Sequence, residues 1–358
     1  MRDALSRLDG ASRISGIDLA RGLAVIGMLA AHLLMTADSF VWNDPSTWTA
    51  VVDGRSSIMF AVLAGASIGI VTGGREPLAR PEMEVARIRL LIRGCILWVI
   101  GILLALTGVP VYVILPAYAI LFIAVIGFVG LRARTVLMIA AAIALVMPFV
   151  QPLLDDLPLW RAPVGAEIET YIGWHYPFTL WLVFVLAGLG AARTGLARLR
   201  IQIRMLVLGA VVSMLGYLLA LVRVPGSSYL DAAFTAVPHS GGIGEVIGSG
   251  GFAVAAIGAC LLLCRLRAVR MLSLPVRAMG SMPLTAYIAQ LIVWAVAAAV
   301  LLGDTADLNG FLALAPFWSM TVGILVGCTA WALLFGRGPV EWALAKLSGF
   351  VGSGPVRQ

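Results

Sequence analysis

The sequence predicts an all-α membrane protein, a polytopic bundle of about ten transmembrane helices with both termini in the cytoplasm. The first observation behind this fold class is composition. Hydrophobic residues make up 61% of the chain, charged residues make up 12%, and the mean hydropathy is +1.01. A soluble domain carries about 25% charged residues, so the composition excludes an ordinary soluble globular protein.

The second observation is a series of apolar runs, each about as long as a helix that crosses a bilayer. We predict ten spans, at 18–36, 56–73, 90–106, 113–130, 134–152, 177–192, 205–222, 243–264, 279–302 and 311–335. The first run follows basic residues, as in a signal peptide, but it is long and carries ionisable residues, so we expect it to be retained. The chain then forms one integral-membrane domain over 1–358, with spans over 18–335 and a cytoplasmic interfacial segment over 336–358.

The third observation is the sorting of charge between the loops. The segments on the side of the two termini hold 19 Arg or Lys and 6 Asp or Glu, and the opposite loops hold 3 Arg and 10 Asp or Glu. Because short loops rich in Arg and Lys stay in the cytoplasm, this bias predicts that both termini are cytoplasmic. It also accounts for the net charge of +7 without a nucleic-acid partner. We predict location in the plasma membrane.

Ionisable residues lie at unusual depth in the first span. Asp18 and Arg21 open it, three residues apart and therefore on one helical face, and His32 lies near its far end. An ionisable group inside an apolar span is costly unless it is paired or hydrated, so each is a functional candidate. The structural alternatives are an interfacial ion pair for Asp18 with Arg21 and a packing role for His32.

The remaining titratable groups are distributed unevenly across the membrane. His32, His175 and His239 all fall at the outer ends of spans or in outer loops, together with Asp53. Glu245 follows His239 by six residues, where a carboxylate can orient a histidine. Arginines cluster at the inner face instead: Arg75, Arg80, Arg87, Arg89, Arg93, Arg193, Arg198, Arg200, Arg204, Arg265, Arg267, Arg270 and Arg277. Proton-transfer groups are therefore expected on one side and anion-binding groups on the other.

Other patterns indicate helix packing rather than a cofactor. Gly244 and Gly248 are four residues apart in the eighth span, a spacing that lets helices approach closely. Thr285, Tyr287 and Gln290 are interpreted as interhelical hydrogen-bond partners in the ninth span. The sequence has no G-x-x-x-x-G-K-[ST] motif, so an ATP-driven pump is unsupported, and its four cysteines have no metal-ligand spacing. We expect no metal.

Four segments carry a resemblance to a known family. They are R-I-S-G-I-D-L-A-R-G-L-A-V-I-G-M in the first span, F-A-V-L-A-G-A-S-I in the second, and G-S-M-P-L-T-A-Y-I-A-Q and G-P-V-E-W near the C-terminus. The most specific is the D-x-x-R-G motif at Asp18, Arg21 and Gly22. These segments resemble the transmembrane acyltransferases related to the lysosomal heparan-α-glucosaminide N-acetyltransferase, and within that superfamily they are most similar to the bacterial YeiB-like proteins.

The resemblance implies that acetyl-CoA, as acyl donor, is used from the cytoplasmic side and that its acyl group reaches a sugar amine or hydroxyl on the far side. The expected partners are acyl-CoA, an extracytoplasmic carbohydrate or cell-envelope acceptor, and membrane lipid. Inner arginines would hold the phosphates of CoA, and a histidine would deprotonate the acceptor or carry the acyl group transiently. The donor-binding candidates are Asp18, Arg21, Arg89 and Arg93, and the catalytic candidates are His32, His239, Asp53 and Glu245.

The chain departs from the lysosomal enzymes at one position. Those enzymes have a histidine in the first outer loop, whereas no histidine lies between Thr36 and Arg55 here. His32 aligns instead with an asparagine of their first span, so His32 or His239 is expected to take over the role.

A transporter or flippase of a small amphipathic solute is the alternative function, because ten spans with intramembrane charges suit either class. Discontinuous helices in matched halves would favour transport. The sequence has no convincing internal repeat, although Pro116 and Pro283 could break their spans. A third possibility is an assembly subunit that binds no acyl-CoA. The acceptor, the length of the acyl group, a direct or two-step route, and the oligomeric state, with a homodimer as one option, stay open.

Overall fold

The computed structural model describes residues 10, 13–37, 40–222 and 226–349, and these residues form helices and turns with no β-strand among them. The predicted all-α class is therefore confirmed. Parts of the predicted domain, at 1–9, 11–12, 38–39, 223–225 and 350–358, lie outside the described residues.

Each predicted span coincides with one principal helix. The ten helices are α1 (Ser15–Leu33), α2 (Arg55–Val71), α3 (Arg80–Ala105), α4 (Leu115–Ala124), α5 (Ala133–Asp155), α6 (Phe178–Thr194), α7 (Leu199–Leu219), α8 (Ile243–Leu263), α9 (Pro283–Leu302) and α10 (Phe317–Leu334). Among the described residues, eight segments are long and apolar enough to cross a bilayer, and α4 and α6 are shorter apolar helices. The chain is thus a multi-pass membrane protein, and the cytoplasmic position of its termini stays a prediction.

Three predicted boundaries are wrong, each for a local reason. Helix α3 begins at Arg80, well before the predicted start at 90, because Pro81 suits the first turn of a helix and the polar residues after it continue that helix beyond the apolar run. The predicted ninth span is broken into Leu274–Gly280 and α9, and Pro283 begins the second piece. In the tenth span, Pro316 separates a short helix from α10.

Short helices occupy several predicted loops and the end of the predicted fourth span. They are the 3-10 turns Pro45–Val51, Val125–Gly127 and Pro158–Arg161, and the α-helices Pro163–Ile172, Ser228–Phe234, Arg267–Leu272, Leu274–Gly280 and Leu308–Ala313. After α10, helix α11 (Pro339–Gly349) lies within the predicted interfacial segment 336–358.

Helix α1 lies at the centre of the bundle. Most of its residues are buried, whereas α3, α5 and α7 expose many large apolar side chains, as expected of helices that face lipid. Glycines allow the close helix contacts: a Cβ at Gly216 in α7 would collide with the backbone of Gly248 in α8. This contact accounts for the small-residue spacing of the eighth span.

Candidate active site

The D-x-x-R-G motif builds the first part of the site, at the start of α1. Asp18 is buried, with Oδ2 3.4 Å from Arg13 Nε and Oδ1 accepting a hydrogen bond from an Arg21 terminal nitrogen at 3.2 Å. The other terminal nitrogen of Arg21 donates to Ser67 Oγ in α2 at 2.5 Å. The ion pair between Asp18 and Arg21 is therefore present, and the Asp18 carboxylate contacts the guanidinium groups of both Arg13 and Arg21.

The glycine of the motif has a packing role. A Cβ at Gly22 would collide with the carbonyl group of Val276 in the short helix Leu274–Gly280, and a Cβ at Gly280 would collide with the carbonyl group of Asp18. The two backbones can therefore approach closely only because both positions are glycine. This contact fixes α1 beside the break before α9.

The two arginines of this ion-pair cluster face a large cavity, hereafter the inner cavity. Its volume is about 840 Å³, and its cationic lining consists of Arg13, Arg21, Arg93 and Arg337. The volume lies within the range of small-molecule sites, roughly 300–1,000 Å³. Guanidinium groups bind phosphate oxygens through two parallel hydrogen bonds, so this lining suits a polyphosphorylated ligand.

The donor-binding candidates are placed differently relative to the inner cavity. Arg21 and Arg93 line it, and Arg93 Nε donates to Ser348 Oγ in α11 at 3.4 Å. Asp18 lies behind the lining as the partner of Arg21. Arg89 is exposed one turn before Arg93 and is not part of the lining.

Several other inner arginines stabilise the fold instead. Arg193 is buried and donates hydrogen bonds to the carbonyl groups of Gly69, Thr72, Gly74 and Val129, at 2.6–3.2 Å. Such bonds satisfy carbonyl groups at the ends of helices and in turns. The arginine-rich inner segments thus divide into residues that face the cavity and residues that hold the backbone.

Helix α11 closes one side of the inner cavity through Glu341. Its Oε1 accepts backbone N–H bonds from Leu284 at 2.8 Å and Thr285 at 3.1 Å, and its Oε2 accepts from Thr285 Oγ1 at 2.5 Å. A carboxylate at the N-terminus of α9 also interacts favourably with the helix dipole. The segment that contains Leu284 and Thr285 and the segment that contains Glu341, which are separate in the sequence, therefore contact each other in the fold.

A second cavity, hereafter the outer cavity, contains the titratable groups. Its volume is about 260 Å³, and His32, His175, His239 and Asp53 all line it. The three histidines come from α1, the turn before α6 and the loop before α8. The structure therefore brings together three of the four catalytic candidates.

Glu245, the fourth candidate, lies behind this lining at the start of α8. Its Oε1 accepts the backbone N–H of His239 at 2.6 Å and its Oε2 accepts that of Gly241 at 2.9 Å. The carboxylate therefore contacts the backbone of His239 and not its ring. This contact holds His239 in a left-handed conformation, with φ of 61°, which non-glycine residues rarely adopt.

The His239 ring lies within a cluster of rings. Its Nε2 is 4.0 Å from Asp53 Oδ1, and its centroid is 4.8 Å from that of His175, which in turn stacks on Tyr112 at 3.8 Å. Burial lowers the pKa of His239 to about 4 and that of His175 to about 4. Both imidazoles are therefore neutral at pH 7 and able to accept a proton.

His32 is held by a partner in α9. Its Nδ1 is 2.8 Å from Nε2 of the fully buried Gln290. An amide can donate or accept, and the two amide orientations fix opposite tautomers. In the structure the amide nitrogen faces Nδ1 and donates to it, which leaves the ring proton on Nε2. Rotating the amide, so that its oxygen accepts an Nδ1–H, frees the Nε2 lone pair to accept a proton. The predicted interhelical bond of Gln290 is thus present and determines the tautomer of His32. Asp53 and Glu245 contact His239 instead.

The two cavities lie in series along α1. Arg21 lines the inner cavity, and Met28, Ala31 and His32 line the outer one. The eleven residues from Arg21 to His32 correspond to about 16 Å of helix at 1.5 Å per residue.

Sequence reasoning did not select His175 or Tyr176 as site residues. Aromatic residues just before an apolar helix commonly lie at the membrane interface, so Trp174 and Tyr176 gave no distinct signal, yet the rings of His175 and Tyr176 line the outer cavity. The available signal was the scarcity of histidine, since all three histidines of the chain line this one cavity. In the described part of the chain, no group of three or more His, Cys, Asp or Glu has the geometry of a metal site.

Two family models match the chain. The model for the heparan-alpha-glucosaminide N-acetyltransferase catalytic region matches residues 13–221, and a model for a protein family of unknown function (DUF418) matches residues 176–350. No curated protein and no solved structure matches. The first match includes the arginines of α1 and α3, His32 and Asp53, and the second includes His239, Gln290 and Glu341, so each match contributes to both cavities.

Proposed function

Because the chain belongs to the heparan-alpha-glucosaminide N-acetyltransferase catalytic family, a family of membrane acetyltransferases, we propose that it moves an acetyl group from cytoplasmic acetyl-CoA to an acceptor on the opposite face of the plasma membrane. The acceptor is a sugar amine or hydroxyl. Membership of the family and the similarity to YeiB-like proteins are shown by the two matches. The donor, the acceptor and the face from which each enters are our proposal.

The observation that carries this proposal is the serial arrangement of two cavities with opposite chemistry. Four arginines line the inner cavity, and three histidines with one carboxylate line the outer cavity. Acyl transfer needs a site that binds the phosphates of the donor and a group that takes a proton from the acceptor. The arginines at one end of α1 suit the first task, and the histidines at the other end suit the second. A transporter would need no group that accepts a proton from an attacking nucleophile.

In the inner cavity, Arg13, Arg21, Arg93 and Arg337 hold the phosphates of the donor. Asp18 keeps Arg13 and Arg21 in place, since its two oxygens contact one guanidinium each. Arg93 is braced by Ser348 of α11. The pantetheine arm then extends along α1 towards the outer cavity, and the thioester lies between the two cavities.

In the outer cavity, a neutral imidazole takes the proton of the acceptor as the acceptor nitrogen or oxygen attacks the thioester carbonyl carbon. His32 is the first candidate, because it lines the outer cavity, and Nε2 is the base when the Gln290 amide is rotated so that its oxygen accepts the Nδ1–H. Asp53, near His239 Nε2, can stabilise the imidazolium form of His239 if that residue is the base or carries the acyl group.

The test of donor binding is a calorimetric titration of the purified protein with CoA. Arg93→Ala removes a charge-assisted bond worth about 1.5–3 kcal/mol, so Kd is expected to rise by about 10- to 150-fold. The control is Arg134→Ala, which removes one exposed charge near the start of α5, away from the inner cavity. Equal CoA affinity of wild type and Arg93→Ala would contradict the proposed role of the inner cavity.

A further inference from the structure

Tyr118, in the second turn of α4, lies between the two cavities. Its ring lines the inner cavity and packs against Phe60, with the ring centroids 5.7 Å apart. Its backbone N–H donates to the carbonyl oxygen of Ile114 at 3.1 Å, and Ile114 lines the outer cavity. Tyr118 therefore lines the inner cavity one helical turn after the residue at which α4 meets the outer cavity.

The Tyr118 hydroxyl has no hydrogen-bond partner among the described residues, although the side chain is only 3% exposed. Burying a hydroxyl without a partner costs free energy, so native proteins seldom leave one unsatisfied. Tyr287 differs, because its hydroxyl accepts the backbone N–H of Ile114 at 3.3 Å. Phenylalanine would fill the same space at position 118 without this cost, so a partner that arrives with a ligand accounts for the hydroxyl.

The backbone around Tyr118 adds a second electrostatic contribution. Helix α4 begins at Leu115, at the boundary between the cavities: Ile114 lines the outer cavity and Leu115 lines the inner one. The N-terminus of a helix carries a partial positive charge. Side chains on a helix lean towards its N-terminus, so the Tyr118 side chain leans towards this first turn. The Tyr118 hydroxyl and the dipole of α4 would therefore both stabilise a ligand oxygen that gains negative charge near this turn.

We propose that the Tyr118 hydroxyl is a further catalytic group, which donates a hydrogen bond to the carbonyl oxygen of the donor thioester. This inference rests on the proposed acyl transfer. As the acceptor nitrogen or oxygen bonds to the carbonyl carbon, the π electrons move onto the carbonyl oxygen, and Tyr118 stabilises that charge. The C=O bond then re-forms, the C–S bond breaks, and the CoA sulfur leaves with the electron pair and takes the proton that the histidine removed from the acceptor.

The test uses Tyr118→Phe in the full-length protein with acetyl-CoA labelled with ¹³C at the carbonyl. Infrared spectroscopy measures the carbonyl stretch of the bound thioester, which a hydrogen bond lowers in frequency, and a transfer assay measures kcat with glucosamine as the acceptor probe. The matched control is Tyr171→Phe, the same chemical change at an exposed residue outside both cavities.

For Tyr118→Phe we expect a carbonyl band shifted back towards that of free acetyl-CoA. We also expect kcat to fall by about 10²-fold, the scale for losing one oxyanion donor, with the Kd for acetyl-CoA within about twofold of wild type. Tyr171→Phe should match wild type in all three measurements. An unchanged band together with kcat near the wild-type value overturns the role of Tyr118.

The infrared measurement separates this inference from the proposed function. If wild type binds acetyl-CoA but transfers no acetyl group to glucosamine, and the band still shifts in Tyr118→Phe, the carbonyl contact stands and the assumed acceptor fails. If wild type binds no acetyl-CoA, the proposed function and the inference both fail.

Discussion

At the scale of single residues, the chemistry depends on partners that are distant in the sequence. His32 is paired with Gln290, 258 positions away, and His239 is held through its backbone by Glu245. The sequence singled out Asp18 and His32 on α1 as candidates, because a histidine or an aspartate in an apolar run is costly without a role. It could not indicate which partner fixes each ring, since that depends on how α1, α8 and α9 pack.

The residue-scale prediction concerns His32→Ala. We expect acetyl transfer to fall at least about a hundredfold, the usual scale for losing a general base. The folded protein and its CoA affinity should stay close to wild type, because His32 lines the outer cavity and not the inner one. Parallel measurements of transfer rate and CoA Kd check this. Transfer near the wild-type rate would make His32 structural, and His239 would be tested next.

At the scale of elements, ten apolar runs became ten principal helices, because run length and hydropathy are local properties of the chain. The break before α10 was missed, although Pro316 was visible, whereas Pro283 was recognised as a residue that could break the ninth span. Hydropathy continues through both breaks, so a run-based prediction joined them. The role of α11 was also underestimated: it was predicted as an interfacial helix, and it forms a wall of the inner cavity through Arg337, Glu341 and Leu344.

The element-scale prediction tests this wall with Glu341→Ala. The change removes three hydrogen bonds at the N-terminus of α9, and losing a helix cap typically costs about 1 kcal/mol. We expect faster hydrogen exchange in α11 and at the start of α9, and weaker CoA binding because Arg337 loses its fixed position. Lys346→Ala, on the exposed face of the same helix, is the control. Unchanged exchange in Glu341→Ala would show that the contact does not hold α11.

At the scale of the whole molecule, the bundle assembles its sites from distant segments. The charge bias between loops predicted that titratable groups and arginines would lie on opposite sides of the membrane, and the two cavities have that division of residues. The sequence could not predict that Arg193 binds carbonyl groups while Arg93 faces the cavity. Both are arginines near the inner ends of apolar runs, so their local sequences do not distinguish them.

Protonation should couple the outer cavity to the stability of the fold. In the folded protein, burial lowers the pKa of His175 and His239 to about 4, from a value of 6.5 for the unperturbed group. Between these values the unfolded chain binds more protons, so stability is lost as the pH falls from about 6.5 towards 4. We expect the Tm in detergent to fall between about pH 7 and pH 5, and to fall less in His239→Gln. An identical pH dependence of Tm in the variant would contradict this.

The central claim, transfer of an acetyl group between two sites in series, is tested most directly in proteoliposomes. Radiolabelled acetyl-CoA is added outside, and glucosamine, as the acceptor probe, is enclosed in the lumen. Protein oriented with the inner cavity outwards should accumulate labelled N-acetylglucosamine inside, and liposomes that contain Arg93→Ala or His32→Ala should accumulate far less. Labelled product that forms only when donor and acceptor share one face, or equally in both variants and wild type, would contradict the claim.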